Sequence, residues 1–132
     1  MIELIFDGVF DRFPELEVVF AEVDCGWVPY VKEQIDNNYS RLDAVSAFGL
    51  SQLPSEYIER HFHYGFMTDT FAIDNRQRIG VERILWSSDY PHISSDWPNS
   101  WRTIQAAFSG VPVDERQAIL AGNALRLYGF DS

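Results

Sequence analysis

The stretch RILWSSDYPH, residues 83–92, decides the fold class of this chain. Its apolar run 84–86 is short and continuous, as expected for a strand that is buried on both faces of a parallel sheet. The run stops abruptly at two serines and Asp89, and an imidazole follows three residues later at His92. A carboxylate at the tip of a buried strand indicates either a helix or turn cap or a functional group at the rim of an α/β sheet.

Two further segments are predicted strands, EVVFAEV at residues 17–23 and FHYGFM at residues 62–67. Amphipathic helical segments separate them, the clearest being a stripe at helical spacing that comprises Trp27, Val31, Ile35 and Leu42. The predicted order is helix, strand, helix, short helix, strand, helix, strand, helix, helix. This alternation predicts an α/β fold with parallel strands and right-handed crossovers. We expect one domain over residues 1–132 whose three strands form part of a larger sheet, because sheets usually have about four to six strands.

Several residues are candidate helix boundaries. Pro14 is predicted to end the N-terminal helix, and Asp69 to cap a helix that runs to Gly80. Asp114, with glutamine three residues later, resembles a capping box, and Asn123 is placed to cap a short final helix. These signals set the expected bounds of the helices between and after the strands.

Composition excludes several classes of protein. A formal net charge of −10 argues against nucleic-acid and anionic-membrane partners, both of which need a basic surface. No apolar run approaches the roughly 20 residues that span a bilayer, and the acidic N-terminus is unlike a signal peptide. The single cysteine, Cys25, excludes an internal disulfide and a cysteine-only zinc site. A soluble, cytoplasmic protein is the expectation.

Acidic residues follow two of the three predicted strands. Glu22 and Asp24 stand at the end of the first strand, and Asp89 follows the last. Carboxyl ends of parallel strands meet at one rim, where such groups can bind a metal, act as a general base or hold a helix N-terminus. For Asp89 we leave function and capping open, whereas for Glu22 and Asp24 capping of the helix after Trp27 is the stronger alternative.

The histidines, the cysteine and Trp27 have two interpretations each. His92 is either a substrate-facing group or an exposed loop imidazole. His61 and His63 form an H-x-H pair, but the pair lies at the start of its strand, away from the expected catalytic rim, so we interpret both as structural. Cys25 is interpreted as a small, semi-buried residue. Trp27 either packs in the core or forms a wall of an aromatic pocket.

Four stretches of the sequence carry a resemblance to a known family. They are GVFDRFPELEVVFAEVDCGWVPYVKEQID (8–36), RHFHYGFMTDTFAIDNRQRIGVERILWSSDYPH (60–92), SSDWPNSW (94–101) and ILAGNALRLYGF (119–130). Together they resemble the C-terminal part of the amidohydrolase-related family, in the branch that includes aminocarboxymuconate-semialdehyde decarboxylase. The resemblance implies a distorted TIM (β/α)8 barrel, of which this chain supplies about three βα units, strands six to eight.

The resemblance also implies roles for individual residues. The family holds a divalent metal, commonly zinc, and Asp89 matches its metal-ligating, proton-accepting aspartate. Glu22 stands where the decarboxylases of the family carry a catalytic histidine, so it is expected to act as an auxiliary acid or base. His92 matches the histidine after the aspartate and, with Trp27, is a candidate for substrate binding.

Three functions remain open at this stage. The main prediction is a metal-dependent hydrolase acting on a small molecule, and the first alternative is a decarboxylase of an aromatic or cyclic acid. The second alternative is a non-catalytic half barrel that serves as an assembly module, since the family's remaining metal ligands match positions upstream of Met1. We therefore expect this chain alone to retain no stoichiometric zinc, and to pair with copies of itself or with an N-terminal half of the barrel.

Overall fold

The computed structural model describes residues 1–46 and 48–130, with side chains described outside residues 43–47. In chain order the elements are α1 Ile2–Phe6, α2 Val9–Arg12, β1 Val18–Phe20, α3 Val28–Ser46, α4 Pro54–His61, β2 Phe62–Phe66, α5 Thr70–Asp74, α6 Arg76–Ile79, β3 Ile84–Trp86, α7 Ser100–Ala107, α8 Val113–Gln117 and α9 Asn123–Tyr128. A 3₁₀ turn, Val81–Arg83, precedes β3, and a π-helical turn, Ala118–Gly122, joins α8 to α9. The predicted alternation of strands and helices is confirmed.

The three strands form one sheet in the order β1-β2-β3. Strands β2 and β3 run parallel, with Tyr64 opposite Ile84 and Phe66 opposite Trp86. One more bond, from Ser87 N to the carbonyl oxygen of Phe66 (3.0 Å), extends the pairing past the end of β3. The chain is thus an α/β unit built on a parallel sheet, as its pattern predicts.

Strand β1 is shorter than predicted. Its regular structure covers Val18–Phe20 rather than residues 17–23. The backbone of Glu22 has φ 56° and that of Asp24 has φ 51°. These left-handed conformations are incompatible with an extended strand, so the apolar pattern overestimated its length.

The described chain divides into two compact units. The first comprises residues 1–18 and 27–62, and its core includes Phe10, which stacks on His61 with ring centroids 4.3 Å apart and meets Phe62 edge-on at 5.1 Å. His61 is buried, and its Nδ1 lies 2.8 Å from the carbonyl oxygen of Leu16. This contact supports the structural interpretation of His61. The expectation of a single domain stays a prediction.

The second unit comprises residues 19–26 and 63–132. Asn123 is buried there and donates from Nδ2 to the carbonyl oxygens of Val81 (2.7 Å) and Ile84 (2.9 Å). The prediction that Asn123 caps the last helix is wrong, because its own backbone is helical (φ −65°) and its amide is used by the segment that leads into β3. A buried carbonyl oxygen needs a hydrogen-bond donor, and the side-chain amide of Asn123 supplies one to each of these two carbonyls.

Other helix boundaries also differ in detail. The predicted capping box at Asp114 is wrong: Pro112 precedes the first turn of α8, and Asp114 lies within that turn, where a negative charge is favourable. The single helix expected before Pro14 is two short helices, because Gly8 adopts φ 66° between them. The cap at Asp69 is confirmed, since its side chain accepts a hydrogen bond from Ala72 N.

Within the described residues, no helix combines the length and apolar character needed to cross a membrane.

Candidate metal centre

The end of β1 lies close against β2 at Gly65. Val23 N donates to the carbonyl oxygen of Gly65 (3.2 Å). A Cβ placed on Gly65 would lie 3.3 Å from Ala21 Cα and 3.3 Å from Glu22 N, and backbone atoms cannot yield as a flexible side chain does. Glycine at this position therefore permits the close approach that brings Glu22 to the carboxyl ends of the strands.

The loop after β3 presents Asp89. His92 N donates to the backbone carbonyl of Asp89 (2.8 Å), which folds the loop back on itself. The Asp89 Oδ2 atom lies 3.0 Å from His92 Nδ1 and accepts a hydrogen bond from Ser94 Oγ at 3.0 Å. Two side chains of the same loop thus orient the carboxylate.

Glu22, Asp89 and His92 converge. Each offers one ligand atom, and these atoms all lie within 4.8 Å of one another. The Oε2 atom of Glu22 lies 3.8 Å from His92 Nδ1. The side chain of Asp89 is only 10% exposed, whereas those of Glu22 and His92 are 56% and 68% exposed. The two acids follow the carboxyl ends of the two outer strands, β1 and β3, and line one cavity, as the strand pattern predicts.

Residues in and beside the Glu22, Asp89 and His92 cluster have strained backbone conformations. Among the described residues, positive φ outside glycine occurs at Glu22 (56°), Asp24 (51°) and Asp89 (54°). The left-handed region costs an L-residue roughly 1–2 kcal/mol, so such conformations persist only where the surrounding structure enforces them. Strain of this kind is concentrated at functional sites.

The electrostatics keep Asp89 ionised. Desolvation raises the pKa of Asp89, but hydrogen bonding with the side chains of Ser94, His92 and Glu22, and the charge of a protonated His92, outweigh it and hold the pKa below the ordinary value of 3.8. An ionised carboxylate with an adjacent imidazole is the form that can bind a cation.

Two adjoining cavities surround the cluster. The smaller, about 150 Å³, is lined by Glu22, Asp24, Met67, Ser87, Asp89 and Ser94. The larger cavity has a volume of about 450 Å³. Its floor consists of alternate residues of the strands, among them Val19, Ala21, Gly65, Leu85 and Ser87. Alternation places these side chains on one face of the sheet, so the cleft has an apolar floor and an acidic end.

Burial and acidic neighbours raise the pKa values of Asp24 and Cys25. Desolvation, followed by the charge of Asp69, raises the pKa of Asp24. Burial, followed by the charges of Asp69 and Asp24, raises the pKa of the Cys25 thiol to about 12. A thiol that stays protonated at neutral pH is a poor nucleophile. Cys25 is therefore a small buried residue, more completely buried than expected.

His63, the other histidine of the H-x-H pair, and Trp27 are the remaining candidate residues from the sequence. His63 is buried in β2, and its Nε2 accepts a hydrogen bond from Arg83 Nη1 at 2.9 Å, which agrees with a structural role. Trp27 belongs to the first unit, directly before α3. Its role in substrate binding stays a prediction.

Comparison with known families agrees with this geometry. The family profile described as "Amidohydrolase" matches residues 1–130. The chain belongs to this amidohydrolase family. The match covers both units, so the resemblance of the four sequence stretches to the amidohydrolase-related family is confirmed.

Individual relatives of this amidohydrolase chain are decarboxylases. The chain is 27% identical over 136 residues to the gamma-resorcylate decarboxylase of Rhizobium sp. (strain MTP-10005), covering 98% of this chain and 39% of the relative. It is similar to the crystal structure of 5-carboxyvanillate decarboxylase from Sphingomonas paucimobilis, with 25% identity, a TM-score of 0.80, and coverage of 96% and 37%. A dihydroxybenzoic acid decarboxylase from Polaromonas sp. JS666, solved with bound manganese and 2-nitroresorcinol, shares the fold at 22% identity, a TM-score of 0.78, and coverage of 98% and 38%. The chain thus spans well under half the length of the relatives that it matches.

Proposed function

We propose that this chain is the part of a divalent-metal-dependent decarboxylase of an aromatic or cyclic acid that supplies strands six to eight of a (β/α)8 barrel. The observation that carries the proposal is the convergence of Glu22, Asp89 and His92 beside an apolar-floored cleft. The decarboxylases among the relatives favour carbon–carbon cleavage over the hydrolysis that the sequence pattern first suggested.

The donor set fits a divalent ion. Two carboxylates and one imidazole whose ligand atoms lie within 4.8 Å of one another can share one cation. An oxygen-rich set suits manganese or magnesium better than zinc, which prefers imidazole and thiolate. The manganese reported for the Polaromonas relative supports the same choice. When bound, such an ion supplies a Lewis acid that polarises substrate oxygens.

Each residue of the cluster has an assigned role in the proposal. Asp89, kept ionised by its hydrogen bonds, holds the ion and accepts or returns a proton at its carboxylate. Glu22, exposed to the cleft, is the auxiliary acid or base and would ligate the ion only in its carboxylate form. His92 would offer one ring nitrogen to the ion and the other to the substrate. Trp27 is proposed to contact the substrate ring.

The reaction needs one proton at carbon. A protonated carboxyl group of the site gives a proton to the ring carbon that bears the substrate carboxylate. The bond from that carbon to the carboxylate then breaks. Its electron pair returns to the ring, and carbon dioxide leaves. Glu22 can supply this proton when it is protonated and not ligating the ion, and it is then left as a carboxylate that takes up a new proton from solvent.

The test begins with intact-mass spectrometry of the natural protein, which fixes the polypeptide to be assayed. That protein is loaded with Mn²⁺ and incubated with 2,6-dihydroxybenzoate and 5-carboxyvanillate, and carbon dioxide and the phenolic product are measured. Turnover by the native protein with none by the Asp89→Asn variant is the expected result.

Two other outcomes would select the alternatives. Hydrolysis of an ester, lactone or amide panel without decarboxylation would restore the hydrolase prediction. A metal-loaded protein that turns over neither class would favour the non-catalytic assembly module.

A further inference from the structure

We propose that Asp69 is a positioning residue that holds Glu22 within ligand distance of Asp89 and His92. It does so by hydrogen bonds from Cys25 N and Gly26 N, in the segment after β1, to its own carboxylate in the segment after β2. These two bonds are called the tie below. The inference concerns how the metal centre is assembled, and it rests on the proposed function for its consequence in metal binding.

The carboxylate of Asp69 has three backbone donors. Its Oδ2 accepts from Cys25 N at 3.0 Å and from Gly26 N at 2.7 Å, and its Oδ1 accepts from Ala72 N at 2.8 Å. An ordinary helix cap uses one side-chain oxygen on one donor of its own helix. Here the second oxygen serves two donors of a segment more than 40 residues earlier in the chain.

Glycine at position 26 avoids crowding at this tie. A Cβ there would lie 3.0 Å from Asp69 Oδ1 and 3.0 Å from Phe71 Cδ1, both closer than ordinary contact. The backbone therefore approaches the carboxylate as closely as a glycine allows. Hydrogen bonds to an ionised acceptor are about twice as strong as neutral ones, so the tie is able to constrain the segment.

The tied segment is the one that contains two strained residues. Glu22 and Asp24 both have positive φ. The bond from Val23 N to Gly65 lies between these two residues, and the bonds to Asp69 follow at Cys25 and Gly26. Asp24 therefore lies between the two anchors, and Glu22 directly precedes the first. With the second anchor lost, relaxation of Glu22 and Asp24 towards ordinary backbone conformations is downhill, and it would move the Glu22 carboxylate away from His92.

The competing explanation is that Asp69 acts only as the cap of α5. Asp69→Ser separates the two roles, because a serine hydroxyl still accepts from Ala72 N but is too short to reach Cys25 N and Gly26 N. Gly26→Ala is the second variant, since its methyl would press on both carboxylate oxygens of Asp69, Oδ1 at 3.0 Å and Oδ2 at 3.2 Å. Amide exchange at Ala72, which donates to Oδ1, reports whether the cap survives in this variant. Tyr57→Phe, which removes a hydrogen bond from the first unit, is the control for a general loss of stability.

The measurements are Mn²⁺ affinity, by electron paramagnetic resonance titration of the full chain, and amide hydrogen exchange at Cys25 and Gly26. We expect Asp69→Ser and Gly26→Ala to weaken Mn²⁺ binding about 10- to 100-fold, the range found when groups that orient metal ligands are lost. Amide protection at Cys25 and Gly26 should fall in parallel, while Tyr57→Phe leaves both quantities unchanged. Wild-type affinity or unchanged amide protection in a folded Asp69→Ser variant would overturn the inference.

Glu22→Gln distinguishes failure of this inference from failure of the proposed function. If Glu22→Gln weakens Mn²⁺ binding and Asp69→Ser does not, the positioning role is wrong and the metal centre stands. If the native chain binds no Mn²⁺, the metal proposal fails, and a crystal structure of Asp69→Ser decides the positioning role. A displaced Glu22 carboxylate there supports it, and an unmoved one contradicts it. Gly26→Ala provides the same readings if Asp69→Ser does not fold.

Discussion

Two aspartates of this protein have similar hydrogen bonds and different surroundings. Asp11, in the first unit, accepts at Oδ1 from Ser51 Oγ (2.6 Å) and Tyr57 Oη (2.7 Å). Asp89, in the second unit, accepts at Oδ2 from Ser94 Oγ and lies 3.0 Å from His92 Nδ1. In both, hydrogen bonds lower the carboxyl pKa.

The difference lies in the backbone and in the neighbours. Asp11 is part of helix α2 and is held by two hydroxyl groups. Asp89 has a left-handed backbone, and its neighbours are an imidazole and a second carboxylate, each of which can change its charge. The number of hydrogen bonds therefore does not single out Asp89, whereas backbone strain combined with converging titratable groups makes it the candidate functional carboxylate.

The largest expected effect comes from the paired substitutions Asp89→Asn and Asp11→Asn. Asp89→Asn removes a charged ligand and should weaken Mn²⁺ binding by at least about 100-fold, more than the loss of a group that only orients a ligand. Asp11→Asn should leave the affinity unchanged. Isothermal titration calorimetry on both variants makes the test, and an equal loss of affinity in the two would remove the distinction between the aspartates.

Gly65→Ala tests whether close backbone approach builds the centre. The added methyl would press on Ala21 Cα and Glu22 N, so we expect a loss of about 1–3 kcal/mol in unfolding free energy, as found for overpacked sites. The control is Ser40→Ala, at an exposed position of helix α3. Gly49→Ala is unsuitable as a control, because Gly49 has a positive φ. Urea denaturation of both variants measures the difference, and an unaltered midpoint for Gly65→Ala would show that the approach is not tight.

Glu22→Gly tests the strain directly. Glycine adopts a positive φ without the steric cost that glutamate bears, although its unfolded chain has more entropy to lose. We expect the variant to unfold at the same or a higher denaturant concentration, with a gain of up to about 1 kcal/mol, and to bind Mn²⁺ more weakly. The matching change Asp11→Gly, within a helix, should destabilise the protein by roughly 1 kcal/mol. A destabilised Glu22→Gly would contradict the strain argument.

The smallest effect is the pH dependence due to Asp11. Hydrogen bonds from Ser51 and then Tyr57 hold its pKa below 3.8, so its contribution to stability is fully present above the unfolded-state value and is lost as pH falls through the folded-state value. Because the carboxylate is exposed, we expect Asp11→Asn to cost under about 1 kcal/mol at pH 7. The cost should shrink below pH 4. Chemical denaturation at pH 7 and pH 3 measures this, and a cost that is independent of pH would assign the effect to packing.

The sequence by itself determined the class of fold and the rim at which the candidate site lies. The apolar run before Asp89 and the alternation of strands and helices dictate parallel pairing, and parallel pairing places the ends of β1 and β3 at one edge of the sheet. Periodicity carries this information because it is local: a helix or strand needs only neighbouring residues to define its buried face.

Tertiary structure alone decided how the site is assembled. From the sequence, His92 is either a substrate-facing group or an exposed loop imidazole, and Asp69 is a simple cap. The folded chain brings ligand atoms of His92, Glu22 and Asp89 within 4.8 Å of one another and joins Asp69 to the segment after β1. The left-handed backbones of Glu22 and Asp89 have no local sequence signal, because neither residue is glycine. Their conformations are set by donors and close contacts from distant segments, and those partners exist only once the strands have paired.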